Sequence, residues 1–338
     1  MKKCGANRAP PGRSTMKTVL SLVHSNQTLE EYASAADLEQ SYRRFGLDGL
    51  EVIYCGPDDR GIIKNSEVVG VHLPFYSNWL DFYRGDRAAL LDEFLAEDVW
   101  RGFYGGGSFD AVMDLFADAL DFAQKRAASY VVFHVTNVTT REVLGRPPKY
   151  SDEDVVDACA GVINQLLDGK NYSFDFLMEN LHWRGLTLTR PEVTRRLLDQ
   201  VHTPRKGILL DTGHLMCTNP ALKTEEEGFS YIDQMLDLHG DLCSYIKGVH
   251  LHTAVTAGAN RSAAFSPPKN VLEDFYPRFS QAYAHVNAID AHQVALCPGA
   301  ANLLRCLNPS YLTFEFCAGD RKTRDEKLAQ QSQILNLL

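Results

Sequence analysis

The stretch Ile208-Leu209-Leu210-Asp211-Thr212-Gly213-His214 reads as a buried strand that runs out on a carboxylate, with an imidazole three residues further on. The same punctuation recurs along the chain. Val71-His72, Phe133-His134, Met178-Glu179-Asn180, Val249-His250 and Phe314-Glu315 each close an apolar run with an ionisable group. A charge at the end of a buried strand needs a compensating partner, because stranding it away from water is costly.

Working outward from these runs, hydrophobic period and turn residues predict short strands at 18–24, 50–54, 68–73, 130–135, 174–178, 207–210, 246–251 and 311–316. Amphipathic segments at 28–44, 110–125, 152–167, 191–201, 229–238, 272–286 and 323–337 fall between or after them. Strands alternating with helices in this number predict an α/β chain folded as a single closed (β/α)8 TIM barrel. A doubly wound sheet is the alternative, but no G-x-G-x-x-G turn follows the first strand. Gly105-Gly106-Gly107 precedes a helix without the lysine and serine of a phosphate loop, and reads as a hinge.

The barrel is expected to occupy 16–338, preceded by a mobile arm at 1–15 that is basic and rich in Pro and Gly. One region interrupts the alternation. Residues 76–108 carry Trp79, Phe82, Tyr83, Trp100, Phe103 and Tyr104. This aromatic-rich insertion either covers a substrate at the barrel rim, with Trp79 as a contact, or forms a satellite helical cluster on the outside.

At 338 residues and 45% hydrophobic content the chain can bury a large core. A net charge of −9 disfavours general attraction to nucleic acid or anionic membrane. The eight cysteines are scattered without a C-x-x-C pair and read as reduced thiols of a cytoplasmic protein. Neither a secretory signal nor a membrane span is legible. Nothing in the sequence excludes a homo-oligomer.

In a parallel barrel the C-terminal strand ends converge on one face, so His72, His134, Glu179, Asp211 with His214, His250 and Glu315 are expected to meet there. This mixture of nitrogen and oxygen donors suits Zn2+, Mn2+, Fe2+ or Co2+, without choosing among them. Singly, each residue has a plainer role: a hydrogen-bonded core histidine, a helix N-cap for Asp211, half of a buried ion pair for Glu315. Together they predict a divalent metal site. Alternation puts His252 on the same face as His250, where it stands either at a substrate or behind the metal ligands. His182, His202, His239, His285 and His292 fall in loops or on helices and read as ordinary.

These carriers, Val71-His72-Leu73-Pro74, Phe133-His134, Leu177-Met178-Glu179-Asn180, Leu210-Asp211-Thr212-Gly213-His214, Gly248-Val249-His250-Leu251-His252 and Phe314-Glu315-Phe316, resemble the xylose isomerase-like TIM barrels. That superfamily includes sugar isomerases and 3-epimerases as well as the AP endonucleases. Resemblance to the epimerase branch implies one divalent metal on Glu179, Asp211, His250 and Glu315. His214, Arg261, His252 and Trp79 are then expected around a carbohydrate substrate. Resemblance to the endonuclease branch implies a second metal on His72 and His134, with Glu179 bridging, and a third on a downstream D-x-H pair. Residues 256–267 after the seventh strand contain neither Asp nor His.

The expectation from sequence is therefore a sugar isomerase or epimerase, with Glu179 and Glu315 as acid and base on an enediolate. Metal-assisted phosphodiester hydrolysis, a lyase or dehydratase, and a barrel without catalysis are the alternatives on the same site. The acidic charge and the short basic loop of Arg141, Arg146 and Lys149 count against nucleic acid.

Overall fold

The computed structural model describes residues 16–56, 60–255 and 264–338; the arm at 1–15 and Arg261 lie outside them. Eight parallel strands close into a barrel in sequence order: β1 Lys17–His24, β2 Gly49–Tyr54, β3 Val68–His72, β4 Tyr130–His134, β5 Asp175–Glu179, β6 Lys206–Asp211, β7 Ile246–Leu251 and β8 Tyr311–Phe314. Each strand is a short apolar run because both its faces are covered, one by the barrel interior and one by helices. The register brings the charged ends level: His134 lies opposite Glu179, and Asp211 opposite His250.

Below those ends the barrel is filled by Val19, Val69, Tyr130, Val132, Leu177 and Leu209, all buried. Tyr130 crosses this layer, and Gly70 on the neighbouring strand makes room for it. A Cβ at Gly70 would lie 2.2 Å from the Tyr130 ring. The phenol thereby reaches Glu51, a fully buried carboxylate on β2.

Two expectations about the periphery change. The helix expected at 28–44 is two, Asn26–Leu29 and Ala35–Arg43, because the Ser34 side chain accepts from the Asp37 amide and starts a new helix. The insertion is a cluster of three short helices, Leu80–Tyr83, Arg87–Phe94 and Glu97–Tyr104, packed on the helix Phe275–Ile289. Phe94 meets Phe275 with ring centroids 4.2 Å apart, and Phe82 stacks on Tyr104 at the same separation. Buried Arg278 ties this cluster to the barrel, donating from Nε to the Thr140 hydroxyl and from a terminal nitrogen to the Glu93 carbonyl.

Trp79, expected at a substrate, is instead part of that packing. It is 6% exposed, and its indole N–H donates to the Thr136 carbonyl at 2.7 Å. With its one polar atom spent and its ring against Tyr83 and Phe109, it presents nothing to the mouth.

Candidate metal centre

The strand ends assemble overlapping groups of donor atoms, and in each group the atoms lie within 4.8 Å of one another. Glu179, Asp211, His250 and Glu315 form the first. His250 Nδ1 stands 2.9 Å from Glu315 Oε2, 3.4 Å from Glu179 Oε1 and 3.7 Å from Asp211 Oδ2. His72, His134 and Glu179 form the second: both histidine Nε2 atoms are 3.2 Å from Glu179 Oε2 and 3.0 Å from each other. Glu179 thus gives one oxygen to each group.

The third group is His214 with Asp290 and His292. His214 Nε2 lies 3.1 Å from Asp290 Oδ2, which is 3.4 Å from His292 Nδ1. Asp290-Ala291-His292 is a D-x-H pair, absent from 256–267 because the helix Phe275–Ile289 intervenes. The chain returns through a two-residue bridge, Thr253 N–H to Gln293 O at 2.8 Å and Gln293 N–H to Thr253 O at 3.0 Å. This docks the pair beside the end of β7. His292, read from sequence as an ordinary loop histidine, therefore belongs to the site, and Asp290 with it. A further grouping, Asp211, His252, His292 and Glu315, links the first and third groups through members they already contain, with His252 added.

Local structure fixes the ring orientations. His72 Nδ1–H donates to the Leu73 carbonyl at 2.8 Å, and His214 Nδ1–H to the Asn180 carbonyl at 2.9 Å. A ring that donates from Nδ1 in its neutral form carries its lone pair on Nε2, and in both residues Nε2 faces the donor groups. His250 is turned the other way, donating from Nε2 to Glu51 and leaving Nδ1 toward the carboxylates. Asp211 serves two purposes at once. Its Oδ1 caps the helix Thr212–Cys217 by accepting from the His214 amide, while Oδ2 faces the first group. Asn180 pins it by reciprocal bonds, donating to the Asp211 carbonyl and accepting from the Asp211 amide.

His252, expected at a substrate or behind the metal ligands, lies behind this layer. It is fully buried, with Nε2 2.9 Å from Asp211 Oδ2 and its ring flat on His292 at 4.0 Å. Gly213 is required here: a Cβ at that position would come 2.0 Å from the His252 ring. His252 thereby acts on Asp211.

Glu51 is not legible from sequence as a site residue, since it sits within β2 and not at its end. It accepts from Tyr130 at 2.7 Å, from Thr313 at 2.9 Å and from His250, so its charge orients that ring. Glu51→Gln keeps an oxygen for Tyr130 and Thr313 but loses the charge behind His250. We expect it to weaken metal retention by roughly 10- to 100-fold in a chelator competition. Unchanged retention would remove Glu51 from the site.

The donor set fits divalent cations on three counts. The donor separations, from 2.9 to 3.7 Å, bracket the polyhedron edges around an ion with bonds of about 2.0–2.2 Å. Four carboxylates, Glu179, Asp211, Asp290 and Glu315, share one chamber, a density of negative charge that neutral histidines cannot offset. Asp290 Oδ1 is buried without a hydrogen-bond partner among the described residues. Burial alone would raise the Glu179 and Asp211 carboxyls, yet the surrounding imidazoles hold both well below the usual range, and Glu315 falls to about 2.

A family model described as xylose isomerase-like TIM barrel matches residues 107–275. A search of curated proteins gives no match. Among solved structures the chain is similar to D-allulose 3-epimerase from Methylomonas sp., at 12% identity and TM-score 0.53, covering 96% of this chain and 98% of that one. Endonuclease IV from Thermus thermophilus is similar at 14% identity and TM-score 0.52, covering 95% and 100%. Mannonate dehydratase from Streptococcus suis serotype2 is similar at 12% and TM-score 0.52, covering 95% and 93%. Three different reactions at such identities establish a shared fold alone.

Proposed function

The chain belongs to the xylose isomerase-like TIM barrel family, and within it we propose that it is a divalent-metal-dependent phosphoester hydrolase with places for three cations. The observation that carries this reading is the third donor group of His214, Asp290 and His292 beside the two that share Glu179. His72, His134, Asp290 and His292 all lie outside the four donors of a single-metal site on Glu179, Asp211, His250 and Glu315. Held by these residues, cations in adjacent groups would supply charge against the entering and leaving oxygens of a phosphorus centre and acidify a water.

The chain's own residues do the rest. Glu179 couples the first two groups through its two oxygens. Leu73 and Asn180, through their carbonyls, hold His72 and His214 in the ligating tautomer, and Glu51 holds His250. The hydrophobic walls of the barrel keep bulk water from the carboxylates, so their attraction for an ion is weakly screened.

A small phosphoester fits the surface better than a nucleic-acid duplex. Arg141, Arg146, Lys149, Arg184 and Arg190, on the loops after β4 and β5, are each paired with carboxylates. Cations already committed in this way offer little to a phosphate backbone. No helix among the described residues is long and apolar enough to cross a membrane.

The second reading is the sugar isomerase or epimerase. Glu179 and Glu315 flank the same His250 nitrogen, an arrangement open to proton transfer on either side of a bound ketose. One experiment separates the two. Metal content is measured on the purified protein, which is then incubated in deuterated water with phosphomonoesters, phosphodiesters, an abasic duplex and a set of ketoses. We expect metal-dependent release from a small phosphoester without deuterium entering any sugar. Deuterium at a sugar carbon, with every ester intact, would overturn the hydrolase in favour of the second reading.

A further inference from the structure

A cavity of about 550 Å³ opens beside the third donor group, walled by the loops after β4 to β7. Cys217 and Ile289, the latter next to Asp290 in sequence, line it, and its His182 ring stands 6.1 Å from that of His214 between centroids. Its lining is aromatic and hydroxylated, with Trp183, Tyr231 and Phe265 beside Thr187, Thr189 and Thr218. No lysine, arginine, aspartate or glutamate among the described residues lines it. Burial holds its His285 below the ordinary histidine range, so that ring is neutral near pH 7.

The hydroxyls are not equivalent. Thr218 donates to the Leu215 carbonyl at 2.7 Å and pairs with the Tyr231 hydroxyl at 2.8 Å. Since the Thr218 proton is spent, Tyr231 donates to it and keeps oxygen lone pairs for an incoming donor. Thr187 and Thr189 bond each other at 2.7 Å, which consumes one of their two protons and leaves the second to donate. The cavity therefore offers flat aromatic faces and hydroxyls that can both accept and donate, with no carboxylate, lysine or arginine among the described residues of its lining.

We propose that this cavity seats a neutral, hydroxyl-bearing ring, a sugar or nucleoside, as the uncharged part of the substrate. The assignment of the phosphoryl group to the metal centre next door rests on the hydrolase reading; the ring site does not need it. A C–H face or a base stacks on the Trp183 side, and ring hydroxyls pair with Tyr231 and the Thr187–Thr189 couple. An anionic group gains nothing from this lining and is left to the cations.

The test is calorimetric titration of the full-length protein, as purified, with methyl β-D-glucopyranoside, adenosine and, as the ring without hydrogen-bonding hydroxyls, methylcyclohexane carried in a low fraction of dimethyl sulfoxide. Saturable binding of the glucoside or of adenosine, tenfold or more weaker in Trp183→Ala and weaker also in the conservative Tyr231→Phe, is the expected result. Preference between the two probes tells a sugar site from a nucleoside site. No binding of either, or affinity untouched by both substitutions, would overturn the proposal. Because the probes carry no phosphate, failed ester hydrolysis with intact ring binding would sink only the hydrolase, and active hydrolysis of methyl phosphate without ring binding only the cavity.

Discussion

Glu179→Gln is expected to lower turnover by at least about a thousand-fold, equivalent to about 4 kcal/mol of transition-state stabilisation, and to strip cations from two donor groups together. Its Oε2 stands 3.2 Å from both His72 and His134 Nε2, while Oε1 stands 3.4 Å from His250 Nδ1. The amide preserves shape but replaces one of these oxygens with an NH2 that cannot ligate. Whichever way it turns, one group loses a ligand, and the other loses the negative charge that offset its ion. The metal-free fold is expected to lose stability as well, since the imidazoles that hold the Glu179 carboxyl low lose the charge they face. Metal analysis after gel filtration, steady-state kinetics and thermal unfolding with and without chelator check the three parts. A metal-replete, active variant would refute the bridging role.

The barrel is legible in the sequence because its signal is repeated: each strand is a short apolar run, and most end in a residue that a buried strand would otherwise avoid. Every sequence-derived donor, His72, His134, Glu179, Asp211, His214, His250 and Glu315, lies in one or more of the three groups. The residues misplaced from sequence are those whose position depends on something other than the strand they follow. Asp290 and His292 reach the site only because the Thr253–Gln293 bridge folds a long excursion back on itself. Proximity in sequence to the end of β7 does not reveal that, although the D-x-H spacing is there. Glu51 obeys a different rule, a carboxylate inside a strand and pointing into the barrel, where the partner is a histidine from the far side. Trp79 misleads for the opposite reason: an aromatic-rich loop at the rim reads alike whether its rings face a ligand or one another. The local contact that decides it, an Asn137 side chain accepting from the Trp79 and Leu80 amides, comes from a different loop.

Asp290→Asn isolates the group that distinguishes the two functional readings. Asp290 is 4% exposed, its Oδ2 is 3.1 Å from His214 Nε2, and it shares no donor group with His250 or Glu315. The neighbouring imidazoles hold its carboxyl low against the effect of burial, so the charge that the amide removes is present at neutral pH. The variant is expected to lose one cation and keep the other two, and phosphoester turnover should fall on the order of a hundred-fold, the size of effect associated with removing one charge-stabilising group from a preorganised site. A single-metal epimerase or isomerase would respond differently, because Glu179, Asp211, His250 and Glu315 remain untouched. Ketose turnover at wild-type rate, with the metal content of the variant equal to that of the parent, would therefore count decisively for the sugar reading. Loss of a single equivalent of metal together with the hundred-fold fall would show that the third group works as a cation site, and that the loop bringing Asp290 and His292 back to β7 is part of the catalytic machinery.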